Sequence, residues 1–230
     1  MAPWLHAEEQ PTTSTANADP VVMTVNGEPV STAEYTLVMR RHVAEVFSYF
    51  HEKSGLEDHF GYWKDDGRAE NPIRKLHAAT ADELRRLKTV QHFAKKKDLI
   101  SDISYAGFTE RLTKENARRQ NALANNQVVY GPKQQRAEPY YYYQQRDLEQ
   151  ALMEALVKGS ELTVSDAEIE NFYLDQKKGP EELPLSELRP RIIAELQKRK
   201  FEALIADLVA NAKVEINTEV LKGIAPRHDP

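Results

Sequence analysis

Apolar residues recur at intervals of three and four along most of this chain and alternate only near its two ends. After Met1–Pro20, the run Val21-Val22-Met23-Thr24-Val25 leads into Asn26-Gly27 and then Glu28-Pro29-Val30. A β-rich run followed by Asn-Gly predicts a short strand and a tight turn. Pro29 confines the next segment to an edge or a stub. Ser31-Thr32-Ala33-Glu34 has the capping-box pattern, in which the serine hydroxyl accepts from the fourth residue's N–H and the glutamate reaches back. Tyr35, Val38, Met39, Val43, Val46, Phe47 and Phe50 then keep helical spacing to about Lys53, before Gly55.

A loop with aromatic anchors Phe60, Tyr62 and Trp63 is expected over Leu56–Arg68. Asn71-Pro72 supplies an N-cap and a proline at the first helical position. The helix behind it is predicted to reach about Asp98 and to bury Ile73, Leu76, Ala79, Leu84, Leu87, Val90, Gln91 and Ala94. A polar helix is predicted over Tyr105–Asn125, and a loop over Asn126–Glu138. Pro139 is expected to open a helix through Tyr140, Tyr141, Tyr142 and Tyr143 to Lys158, with Gly159 as its C-cap. Ser165-Asp166-Ala167-Glu168 is a second capping box, heading a short helix with Ile169, Phe172 and Tyr173. Lys177–Pro184 reads as a linker. The last helix is predicted from near Ser186 to about Lys213, with Pro190 in its first turn and Ile193, Leu196, Leu204, Ile205, Leu208 and Val209 on one side. Val214-Glu215-Ile216 alternates as a final short strand. The fold class expected is mainly α, with a small β element from short strands near the two chain ends.

Composition narrows the function. Of 230 residues, 40% are hydrophobic and 29% charged, a balance that suits an elongated helical protein. The 31 basic and 36 acidic residues are interspersed and sum to −5, which offers no field for a phosphate backbone and argues against a nucleic-acid partner. With no cysteine, disulfides, thiol catalysis and thiolate metal sites are excluded. No apolar run approaches the roughly 20 residues needed to span a bilayer. Residues 1–20 read as a disordered tether, with Met1 replacing a removed export or lipoprotein signal, and residues 218–230 as a tail.

Candidate chemistry is sparse. His51, Glu52, Glu57, Asp58 and His59 are the densest group of ligand types. Their spacing fits no metal motif, so they read as a solvated helix end and loop, with no metal and no cofactor implied. No phosphate loop or nucleophile constellation is visible, and no catalytic residue is expected. The tyrosine run is more informative. Four successive helical residues point ~100° apart, so one or two belong to a core and the others line a surface. Tyr140–Tyr143, with Phe60, Tyr62, Trp63 and Tyr130, are the candidate contacts for a polypeptide ligand; packing between long helices is the alternative reading.

Three segments resemble one family. Val25-Asn26-Gly27-Glu28-Pro29-Val30-Ser31 with Glu34 and Tyr35 is similar to the opening of SurA/PrsA-type foldases. Leu162–Tyr173 resembles their V-T/S-D-x-E-I/V-x-x-Y-Y element, with Phe172-Tyr173 at its end, and Leu188–Ile216 their closing helix and strand. Ile100-Ser101-Asp102-Ile103-Ser104-Tyr105-Ala106-Gly107-Phe108 and Val128-Val129-Tyr130-Gly131-Pro132 resemble hallmarks of a branch in spore-forming Gram-positive bacteria. The resemblance implies a helical chaperone domain over 21–217 whose final helix, 186–213, packs back on the N-terminal part, with the last strand pairing with the first. In the family a parvulin isomerase domain follows the Tyr-Tyr element; here only Lys177–Pro184 separates Tyr173 from the last helix, and no isomerase residue has a matching position. The expectation is therefore an extracytoplasmic, ATP-independent chaperone without catalysis. It would bind unfolded or extended polypeptide, with a homodimer by exchange of the last helix compatible with the linker. The other reading is an envelope assembly factor dedicated to one protein.

Overall fold

Asn26 and Gly27 set the first turn of the structure, a computed structural model that describes residues 19–57, 61–65, 67, 70–176 and 183–226. Both have positive φ, 53° and 83°, the backbone that a two-residue hairpin needs to match strand twist. The turn joins β1 (Val21–Val25) to β2 (Glu28–Ser31), antiparallel, with Val25 opposite Glu28. The other edge of β1 pairs antiparallel with β3 (Val214–Ile216), giving strand order β2-β1-β3. Pro29 thus lies on an edge strand. Asn26 also binds the other end of the chain through its own backbone and side chain. Its N–H donates to the Lys213 carbonyl at 2.8 Å, and its Oδ1 accepts from the Lys213 N–H at 2.9 Å.

The rest is helical: α1 (Thr32–Ser54), α2 (Pro72–Lys96), α3 (Tyr105–Ala124), α4 (Ala137–Lys158), α5 (Asp166–Gln176), α6 (Leu185–Ala210) and α7 (Thr218–Lys222). The chain is mainly α with a small sheet built from strands near its two ends. Asn71 caps α2 by accepting from the Arg74 N–H at 3.0 Å. Gly55 ends α1 in the left-handed region.

Two cores form. The first lies beneath the sheet and joins Val22, Val25 and Val30 to Tyr35, Val38 and Val46 of α1, Leu76 and Leu84 of α2, and Phe108 and Tyr141. The second gathers Val90 and Ala94 of α2, Leu152 and Leu156 of α4, and Phe201 and Ile205 of α6. Each Val, Leu, Ile or Phe among them contributes roughly 1.5–3 kcal/mol on burial. α2 runs through both cores, and α6 packs back on it. The α6 face matches the predicted one toward its end, where Ile205 is buried and Leu204, Leu208 and Val209 pack on the second core, and differs nearer its start. Ile192, Phe201 and Ile205 are buried while Ile193 and Leu196 are only half-buried. Apolar residues crowd two overlapping stripes of this helix, and spacing alone does not choose between them.

Several boundaries also move. α6 ends at Ala210, whose carbonyl accepts from Arg85 at 2.7 Å. Pro190 falls inside the helix, beyond the turn where a missing N–H costs nothing. Residues after β3 do not simply trail off, because α7 forms and Ile224 is buried in the first core. Residues 1–18 of the expected tether, most of the linker (177–182) and the last residues, 227–230, lie outside the described residues.

Candidate functional site

Three polar residues stand where helical spacing would place core. Lys88 follows Leu84 by one turn on α2, Gln91 follows Leu87, and Gln145 follows Tyr141 on α4. All three are buried, as is Glu34 in the first turn of α1. Burying a lysine and a glutamate is tolerable only if they meet, and they do: Lys88 Nζ lies 2.9 Å from Glu34 Oε1. Lys88 also donates to the Ile103 carbonyl at 2.9 Å. The Tyr141 hydroxyl donates to Glu34 Oε1 at 2.7 Å. Burial first, and the Glu34 carboxylate second, hold this phenol protonated, well above its ordinary range. Gln91 Nε2 donates to Gln145 Oε1 at 2.9 Å and lies 3.5 Å from the Tyr141 hydroxyl.

This network corrects one expectation. Ser31 does cap α1, accepting from the Glu34 N–H at 3.3 Å. Glu34 does not complete the box, because its carboxylate turns inward to Lys88 and Tyr141. The second box closes from both sides. Glu168 N–H donates to Ser165 Oγ at 3.3 Å and Ser165 N–H to Glu168 Oε2 at 2.8 Å. With Lys200 Nζ 2.7 Å away as well, the Glu168 carboxyl is held down at about 2, the lysine contact being the largest cause.

Local sequence brings Ile103 to Lys88. Ser104 caps α3 by accepting from Gly107 N–H at 3.0 Å, and Asp102 Oδ1 accepts from Ser104 N–H at 2.8 Å. A methyl group on Gly107 would sit 2.1 Å from Asp102 Oδ2 and would push that carboxylate from its present position.

The network lies at the inner end of a cleft of about 360 Å³ between α4 and the α2–α3 connection with α3. Phe108, Tyr140, Tyr141 and Tyr143 form its aromatic wall, with Leu99, Ile100 and Leu148 as aliphatic lining. Phe108 meets Tyr141 edge to face at 5.1 Å, and Tyr140 stacks on Tyr143 at 6.2 Å. Polar residues that also line the cleft fasten the wall, since Gln144 donates to the Tyr140 hydroxyl at 3.1 Å and Arg111 to Gln144 at 3.3 Å.

The predicted contact residues divide among several places. Tyr140 is half-buried, Tyr141 buried and Tyr143 exposed, all on the cleft. Tyr142 turns the other way, under the Arg41 guanidinium 4.3 Å from its ring. Tyr62 and Trp63 are not free surface: Tyr62 is buried, and the two rings meet edge to face at 4.8 Å within the first core. Phe60, Asp58 and His59 lie outside the described residues. Tyr130 stands apart, 86% exposed beside Val128 at 77%, on the loop between α3 and α4. That loop is stapled. Arg119 donates to the carbonyls of Tyr130 and Pro132 at 2.9 and 2.8 Å, and Asn116 exchanges two hydrogen bonds with the Gln135 backbone.

Helical periodicity puts Gln91 on a buried face but does not single out Lys88, Gln145 or the inward role of Glu34. The available signal was a polar residue at a position that periodicity assigns to core. A broader hollow of about 750 Å³ lies against α5 and α6, lined by Phe172, Leu183 and Ile192 with Arg191, Lys198 and Arg199. Among the described residues there is no group of three metal-ligating side chains, and no helix is long and apolar enough to cross a membrane. No family model, no curated protein and no solved structure matches the chain.

Proposed function

We propose that this chain is an ATP-independent chaperone that holds extended polypeptide in the cleft between α3 and α4 and performs no isomerase chemistry. The observation that carries the reading is the cleft itself, with an aromatic wall of Phe108, Tyr140, Tyr141 and Tyr143 and hydrogen-bonding groups at its inner end. Tyrosine supports contact with varied sequences, because it offers apolar area and a polar tip at low entropy cost. Work outside the cytoplasm rests on the resemblance to SurA/PrsA-type foldases at the two chain ends and in the middle.

Aggregation of a refolding substrate, followed by light scattering, tests the proposal. An equimolar amount of the protein is expected to suppress it. Tyr143→Ser, at the exposed tyrosine of the wall, is expected to weaken binding of unfolded chain by about tenfold while leaving the melting temperature nearly unchanged. Unchanged scattering with the wild-type protein would sink the idea.

One observation favours the second reading, an assembly factor for a single protein. The stapled loop displays Val128 and Tyr130 in a fixed geometry, and pre-organised display suits one dedicated partner. Capture separates the two. A spread of unfolded clients supports the holder, and one stoichiometric protein lost on Tyr130→Ser supports the assembly factor.

A further inference from the structure

The inner end of the cleft has more hydrogen-bonding capacity than it uses. Glu34 Oε2, Gln91 Oε1 and Gln145 Nε2 are buried without a partner among the described residues. Their residues are 1%, 8% and 6% exposed, and all three line the cleft. They are neighbours. Contacts run from Glu34 Oε1 to the Tyr141 hydroxyl at 2.7 Å, from there to Gln91 Nε2 at 3.5 Å, and on to Gln145 Oε1 at 2.9 Å. A buried polar atom left unsatisfied is costly, so three such atoms on neighbouring residues that line the cleft call for a complementary guest.

The unused set is two acceptors and one donor. Rotating both glutamine amides exchanges the atoms, yet the pair still offers one free donor and one free acceptor. Glu34 is already neutralised by Lys88. A carboxylate guest would crowd a second anion against Glu34 and leave Gln91 Oε1 without a donor. An ammonium guest would face Lys88 and leave Gln145 Nε2 without an acceptor. A primary carboxamide carries two N–H donors and one carbonyl acceptor, the complement of this set. We propose that the inner end of the cleft is a carboxamide subsite, which takes the side chain of an asparagine or glutamine of the bound polypeptide. The proposal rests on the reading of the cleft as a polypeptide site. The residues flanking that amide lie against Phe108, Tyr140 and Tyr143.

The test uses short acetylated peptides that end in an N-methylamide, so that a central glutamine supplies their sole primary amide. Versions with Gln, Glu or Met at the centre and Tyr on either side are compared by fluorescence polarisation. The Gln peptide is expected to bind about tenfold more tightly than the other two, since a site built for hydrogen bonds rejects analogues that cannot make them. Gln91→Met/Gln145→Met replaces both partners with isosteric apolar groups, and the preference should disappear on it. If that variant does not fold, the wild-type ranking decides alone. Equal binding of all three peptides by the wild type overturns the subsite and leaves the polypeptide site standing. Binding of none overturns the polypeptide reading, and butyramide then decides the subsite. Butyramide should shift the side-chain amide NMR signals of Gln91 and Gln145 where butyrate does not; no shift overturns the subsite too.

Discussion

Glu34 and Lys88 meet at an apolar junction of α1, α2 and α4, and the consequences of removing either are unequal to those of removing both. Lys88→Met strands a carboxylate that is 1% exposed. It is expected to cost about 3–5 kcal/mol of stability. Glu34→Leu/Lys88→Met removes both charges and should recover most of that loss, or exceed the wild type. Urea unfolding of the two variants checks the pair, and equal stability of the single and double variants would contradict it. These residues also show how far sequence reading reaches at this scale. The ~100° step between helical residues correctly foresees that Tyr140–Tyr143 cannot share one environment, and their burial ranges from Tyr141, buried, to Tyr143, exposed. The spacing does not tell which tyrosine faces which way, because that depends on where α4 lands on α2. Glu34 was harder to read. The same residue satisfies a local rule at the start of α1 and a tertiary demand from Lys88, and the tertiary demand wins.

Helix ends were the most legible elements. Ser31, Asn71 and Ser165 all cap where their patterns indicate, since capping needs only a few consecutive residues. At the C-terminus of α4 Gly159 is the cap, as expected, but without the left-handed backbone that glycine favours. Gly159 has φ −76° and spends no glycine freedom, while Ser160 holds the left-handed position at φ 61°. Glu161 N–H then donates back to the Leu156 carbonyl at 2.9 Å, closing the motif one residue later than the glycine suggests. A side chain at left-handed φ is strained. Ser160→Gly is therefore expected to raise stability by about 0.5–1 kcal/mol, read as a higher melting temperature. A lower one would show that the Ser160 side chain contributes more than its backbone costs. The α6 face was less legible for the opposite reason. Which of its two apolar stripes is buried depends on distant partners, Val90 and Leu152 among them.

In the molecule as a whole, His77 links α2 to the end of the chain. It stands 3.1 Å from the Tyr35 hydroxyl and hydrogen-bonds the Ile224 backbone. Burial lowers its pKa below the usual 6.5, against the opposing pull of that bond and of Asp65. The folded chain thus refuses a proton that the unfolded chain accepts. Its contribution to stability is complete above about pH 6.5 and is lost as the pH falls below it. Melting temperatures at about pH 7.5 and about pH 5.5 should differ in the wild type, and less so in His77→Gln. Identical differences in the two proteins would assign the effect elsewhere. Glu115, held at about 2 by Arg118 and then Arg119, begins to lose its share only as the pH falls below the ordinary 4.5 of its unfolded carboxyl. The meeting of β1 with β3 has a consequence in time. Asn26 and Lys213 are 187 residues apart, and a contact that closes so long a loop comes late in folding. While the chain is being made, β1 has only β2 beside it, and a lone hairpin is marginal in water. Its second edge stays open until Val214–Ile216 emerge. Closure of the sheet therefore waits on that distant strand, and until it arrives the nascent chain itself carries an edge to cover.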